Sequence, residues 1–197
     1  MNCFSQTFQS YAIDNAIQPD TNVKKSKNVS IAGIFLSIGG GLGIPLQTFK
    51  ETASPTFGAL ARLEYSSTSI FPLVIGVEAD IFSYNAPDEF KTINVINGFK
   101  TKIFSYGLNI EYNLTRILKS SYTMPFITID VKNNSVKREY DDDTTFASLP
   151  RKETKISFGG GFGFTLFVFD FYVKYNYMKN FSNVSVYTKF KIPIIRF

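Results

Sequence analysis

The chain has 197 residues, 44% of them hydrophobic, and a formal net charge of +5. That length fits one domain with a short tail, and no run reaches the ~18 apolar residues that a membrane-spanning helix requires. A single cysteine excludes an internal disulfide framework, and the absence of histidine closes catalytic schemes built on an imidazole.

Met1 to Gln6 lack the charged and apolar regions of a complete export signal. Cys3-Phe4-Ser5-Gln6 nevertheless resembles the last residues of such signals in the Bacteroidota. Polar residues follow, with Pro19, Asp20 and the basic cluster Lys24, Lys25, Lys27. Residues 1–29 are therefore expected to be a disordered tail, and residues 30–197 a folded domain.

From Ser30 onward the texture has period two, the pattern of strands. Ala32, Ile34, Leu36, Ile38 and Leu42 share one face, opposite Gly33, Ser37, Gly39, Gly41 and Gly43, with Phe35 out of phase. Phe57, Ala59, Ala61, Leu63 and Tyr65 oppose Arg62 and Glu64. Leu73, Ile75, Val77, Ala79 and Ile81 oppose Gly76, Glu78 and Asp80. Phe104, Tyr106, Leu108, Ile110 and Tyr112 oppose Gly107, Asn109 and Glu111.

The second half repeats the alternation. Ile127, Ile129 and Val131 oppose Asp130 and Lys132; Ile156, Phe158, Phe162 and Phe164 oppose Ser157, Gly159, Gly161 and Gly163. Phe169, Phe171, Val173, Tyr175 and Tyr177 oppose Asp170, Tyr172 and Lys174. The last segment, Val184 to Phe197, carries two phases: Phe190, Ile192 and Ile194 set one, Ile195 and Phe197 the other. A bulge near Pro193 would reconcile them.

Eight strands of roughly 9–14 residues suit tilted bilayer-spanning strands. Long connections are expected at 44–55, 85–97, 133–153 and 179–182, and short ones at 67–69 and near Phe167. Short turns at one end and long loops at the other are the plan of outer-membrane barrels. The 113–123 connection is longer than that plan predicts.

A soluble barrel would give the same alternation with the faces exchanged. The apolar face here, however, carries about thirty large side chains, too many for the interior of a closed eight-stranded barrel. The other face is rich in Gly and Ser and suits a narrow polar lumen. Tyr65, Tyr84, Phe99, Tyr112, Tyr177 and Phe197 lie near strand ends, where interfacial girdles belong. The expected fold is all-β: an eight-stranded antiparallel up-and-down transmembrane β-barrel. A soluble ligand-binding barrel of lipocalin type is the alternative.

Ser37-Ile-Gly-Gly-Gly-Leu-Gly-Ile-Pro45, Met124-Pro-Phe-Ile-Thr128, Phe158-Gly-Gly-Gly-Phe-Gly-Phe164, Tyr172-Val-Lys-Tyr-Asn-Tyr177 and Ile195-Arg-Phe197 resemble the OmpA/OmpX-like and opacity-type outer-membrane barrels. That resemblance implies the bacterial outer membrane, contact with its lipid and lipopolysaccharide, and possible envelope protein partners. It also implies that Ile195 and Phe197 form the signal read by the barrel-assembly machinery, although Pro193 departs from the pattern by removing a ladder donor. The role implied is an envelope structural component or surface interaction module.

Outer-membrane barrels that are enzymes rely on a histidine, so no catalytic residue, cofactor or metal site is assigned. The Gly39–Gly43 and Gly159–Gly163 stretches complete no phosphate-loop motif and precede no helix. The spacing of Asp141, Asp142 and Asp143 matches no calcium loop. Lysines scattered over tail and strand ends form no nucleic-acid face. The charges Arg62, Glu64, Glu78, Asp80, Glu111, Asp130, Lys132, Asp170 and Lys174 share the lumen face and should pair or be hydrated. They read as a structural network plugging the barrel; the alternative is an ion-pair gate in a narrow channel for ions or small solutes. Lys100 and Lys102 face outward at the upper end of the fourth strand. If Phe197 sets the phase of the last strand, Lys189 and Lys191 join them as a lipopolysaccharide-docking rim.

Overall fold

The computed structural model describes residues 32–93, 98–115, 117–118, 123–140 and 150–197. The expected tail at 1–29 and the acidic cluster Asp141–Asp143 lie outside the described residues. Each period-two segment forms a strand: β1 Ala32–Pro45, β2 Thr56–Ser67, β3 Leu73–Asn85, β4 Phe99–Asn113, β5 Met124–Tyr140, β6 Lys152–Leu166, β7 Phe169–Tyr177 and β8 Asn183–Arg196. Neighbours pair antiparallel in sequence order, and β8 returns to β1, closing the barrel. Closure leaves no open sheet edge, which a strand-built membrane protein requires. Among the described residues no helix is long and apolar enough to cross a membrane; the crossing elements are strands.

The alternation sorts the side chains as a membrane demands. Outward-facing Val77 and Leu108 are 55% and 63% exposed, and similar apolar residues recur on every strand. A continuous apolar surface of this extent is stable only against lipid. Inward-facing residues of the same strands include the buried charges Glu78, Asp80 and Glu111, the glycines Gly76 and Gly107, and, nearer the long-loop end, the rings Phe82, Tyr84 and Phe99. A lipocalin-like barrel would show the reverse, so the soluble alternative falls.

Three expectations need correction. Strands β5 and β6 run on to Tyr140 and from Lys152, so the connection between them is 141–151 rather than 133–153: Ser135, Lys137 and Glu139 still pair, despite their polarity. Tyr84 and Phe99 do not join an outer girdle. They share the parity of Asp80 and Ser105, point inward, and are almost wholly buried. In β8 both phases coexist. Phe35 pairs with Pro193 but Ile34 with Ile195, so Ile194 is an extra residue, a bulge at the proline that needs no ladder donor. Below the bulge Phe197 faces outward; above it Phe190 and Ile192 do, which turns Lys189 and Lys191 inward.

Two short helices cover the long-loop end. Helix α1 (Phe49–Thr52) follows β1, and α2 (Asp88–Ile93) follows β3. The turns 68–72 and 167–168 and both barrel-closing termini lie at the other end, as does the longer connection 114–123. The turn 167–168 is tighter than any connection at the helix-covered end, which marks its own end as the periplasmic side.

Lumen glycines make room for their neighbours. A Cβ on Gly163 would collide with the Phe171 carbonyl oxygen and with Tyr172, whereas one on outward-facing Gly160 would meet nothing within 4 Å. Gly163→Ala is expected to cost about 1–3 kcal/mol, the usual cost of overpacking against backbone. Gly160→Ala should be near neutral. Urea titration of the folded band on unboiled gels measures both, and equal effects would mean that the lumen wall yields freely.

Candidate functional site

Strands β2, β3, β4, β5, β7 and β8 each send charges into the lumen. Arg62 on β2 is 1% exposed. Its Nε donates to Glu78 at 2.7 Å, its guanidinium also reaches Glu111, and Glu64 lies at 3.5 Å. Glu78 is shared: Lys132 contacts it, and Lys174 donates to it at 2.9 Å. Lys132 also meets Asp80, and Lys174 lies 2.9 Å from Asp130. At the periplasmic side Lys189 contacts Glu64, and lies 3.0 Å from Glu111 and 3.1 Å from Asp170. Lys191 completes the group at 2.8 Å from Glu64 and 3.4 Å from Asp170.

The result is five cations against six carboxylates in one connected network. Pairing is what allows so many charges out of water, because a lone buried ion costs several kcal/mol. Neutral partners fill in: Ser37 donates to Glu64 at 3.2 Å, and Asn109 to Thr128 at 2.6 Å. Glu64, Glu111 and Asp170 bring carboxylate oxygens within 4.8 Å of one another, a spacing that a divalent cation could use. The Lys189 ammonium already touches all three, so that position is filled by the chain itself.

Aromatic rings begin among the charges, between the Asp170–Lys189 row and Lys174, and continue above them. Tyr172 stacks on Tyr187 at 4.9 Å, and Phe82 meets Tyr187 edge-on at 6.0 Å. Phe49 of α1 caps the upper mouth, 4.9 Å from the Tyr84 ring and 5.2 Å from Phe181. Lys155 and Arg138 sit over Phe181 at 4.6 and 5.1 Å, and Arg138 pairs with Glu153 at 2.6 Å. A small cavity lies where charges and rings meet, with Asp80, Lys132 and Asn134 on one side and Phe82, Ile103 and Tyr187 on the other; it has room for about one water.

All seven acids and bases assigned to the lumen network (Arg62, Glu64, Glu78, Asp80, Glu111, Asp130 and Lys174) meet in it, as do Lys132 and Asp170. Lys100 and Lys102 face outward at the top of β4. Lys189 and Lys191 do not belong to a lipid-facing rim: Lys189 is 1% exposed and both lie among lumen carboxylates. Their alternation with Phe190 and Ile192 carried that parity, which the terminal Phe197 masked. Phe49 had no signal, since it reaches the lumen from a loop. Ile195 and Phe197 are exposed, and Phe197 exchanges backbone hydrogen bonds with Ala32 at 2.8 and 3.0 Å.

No protein-family model and no curated protein matches the sequence. Solved structures do resemble it. Neisserial surface protein A superposes with a TM-score of 0.58 at 15% identity, over 83% of this chain and 99% of that one. The outer-membrane enzyme PagL gives 0.47 at 14% identity, over 80% and 99%. Ail, the attachment invasion locus protein of Yersinia pestis, gives 0.42 at 12%, over 85% and 99%. At such identities the likeness to the Neisserial protein speaks for the fold, and the two lower scores add no weight. With its apolar belt and charge-filled interior, the chain has the fold of the small eight-stranded β-barrels of the bacterial outer membrane.

Proposed function

We propose that the protein is a non-enzymatic component of the outer membrane, a closed barrel that anchors and presents a surface module. The observation that carries this reading is the filled lumen. Ion pairs interleaved with Tyr172 and Tyr187 occupy its middle and lower part, Phe82 and Tyr84 its upper part, and Phe49 its mouth. An eight-stranded interior is just wide enough for side chains, and here they use that room. Strands β4, β5 and β6, of 15, 17 and 15 residues, exceed the ~9–11 needed to cross a bilayer. Their surplus lifts a three-stranded platform above the belt. The finer likeness to OmpA/OmpX-type barrels fits this role, and the outward Phe197 suits recognition by the assembly machinery.

Planar-bilayer recording tests the reading. The unmodified protein is expected to show small, infrequent openings, and Lys174→Gln should make them larger or more frequent by releasing Glu78 and Asp130. Large, steady conductance of the unmodified protein would replace the plugged barrel with a channel.

A further inference from the structure

Strand register places three lysines side by side on the outward face of the platform. Lys102 on β4 stands opposite Lys137 on β5, and Lys137 opposite Lys152 on β6. Like charges directly opposite on neighbouring strands oppose pairing, yet the β4–β5 ladder continues through this row and the β5–β6 ladder extends up to it. One carboxylate moderates the repulsion. Glu139 Oε1 accepts from both Lys102, at 2.9 Å, and Lys137, at 3.1 Å, and the Lys102 ammonium lies 2.8 Å from Oε2 as well. A phosphate would offer its oxygens to the same two ammoniums in the same way. Lys100 adds a fourth charge one outward position higher, opposite Glu139. Among the described residues this face therefore carries four lysines and one glutamate.

Depth decides the source of the anion. The next outward row below holds Phe104, Ser135 and Thr154, and the one after it Tyr106, Asn133 and Ile156, where the apolar belt begins. The lysines thus stand at headgroup level, directly above lipid-facing wall. We propose that the Lys102–Lys137–Lys152 row binds the phosphates of a phosphorylated lipid in the outer leaflet. The row spans two interstrand spacings, on the order of 10 Å, and so accommodates a headgroup bearing more than one phosphate. A lipid gains twice, since its phosphates meet ammoniums while its chains continue down the same strands; a soluble anion gains only the first. This site deepens the surface role proposed above and rests on the long-loop end being extracellular.

Native mass spectrometry of the full chain in mild detergent, with diphosphoryl lipid A added, tests the site. The variant K102Q/K137Q/K152Q is expected to retain about tenfold less lipid, as suits the joint loss of three exposed charge contacts. K50Q/K91Q/K179Q removes equal charge from the same end, outside the row, and should retain as much as the parent. Glu139→Gln removes the competing carboxylate and should retain more. Heat-dependent gel mobility confirms that each variant is folded. Equal retention by the row and off-row variants would overturn the site. Displacement of lipid A by an equal concentration of inorganic pyrophosphate would overturn the lipid assignment. Bilayer conductance is read separately, so failure here leaves the plugged lumen standing.

Discussion

Arg62→Met is expected to destabilise the folded barrel by about 3–5 kcal/mol, the cost of leaving a buried charge network without one partner. Arg62 serves Glu78, Glu111 and Glu64 at once. Its removal leaves four lumen cations facing six carboxylates, and methionine fills the volume without supplying a donor. Glu111→Gln should be much milder, about 1 kcal/mol, because it balances the charges and leaves an amide oxygen for Lys189, now 3.0 Å away. The double variant Arg62→Met/Glu111→Gln should then be more stable than Arg62→Met alone, since the two sites share a contact and cannot add independently. Urea titrations in liposomes, followed by the unboiled gel band, give all three values. Small and equal losses for both single variants would show a hydrated lumen whose charges are screened by water.

Leu108→Arg should cost about 2–4 kcal/mol, the penalty for arginine at the mid-bilayer of a barrel. Leu108 lies between Val77 and Val131 on the neighbouring strands, two outward positions from both Tyr112 and Phe104. Snorkelling from that depth would have to cross half the belt. One residue on, Asn109→Ser faces the lumen and forfeits its bond to Thr128, a loss of about 1 kcal/mol. The same titration compares the two. Tolerance of arginine at 108 together with collapse at 109 would exchange inside for outside.

Parity carries most of the fold and most of the site. All the lumen acids and bases except Lys132 and Lys189 sit between outward apolar neighbours, as Glu78 does between Val77 and Ala79, so their direction could be read from the residues beside them. The reading failed where a second rule overrode alternation. In β8 the extra Ile194 reverses the phase, so counting back from Phe197 sent Lys189 and Lys191 the wrong way. In β5, polar residues from Asn133 to Tyr140 looked like loop because strand was equated with membrane, whereas hydrogen-bonded strand continues into water. The row of Lys102, Lys137 and Lys152 depends on interstrand register across two loops, which no single segment encodes. Phe49 reaches the lumen only because α1 folds over the mouth, a tertiary event without a local periodic signature.

The position of Lys189 has a consequence for how the barrel comes together. Its partner Glu64 lies 125 residues earlier, and Glu111 lies 78 residues earlier. Until the last strand arrives, Glu64, Glu111 and Asp170 crowd one another without the ammonium that joins them, and an unfinished sheet is disfavoured by their mutual repulsion. Docking of β8 against β1 removes that repulsion in the same event that completes the ladder. A one-residue slip would turn Lys189 to the lipid side and leave the repulsion in place. The final strand is thereby checked twice, once by backbone pairing and once by charge, so an incorrectly seamed barrel gains little from closing. Sequence-distant contacts of this kind slow a search, and here the delay falls on the step at which error would be hardest to undo.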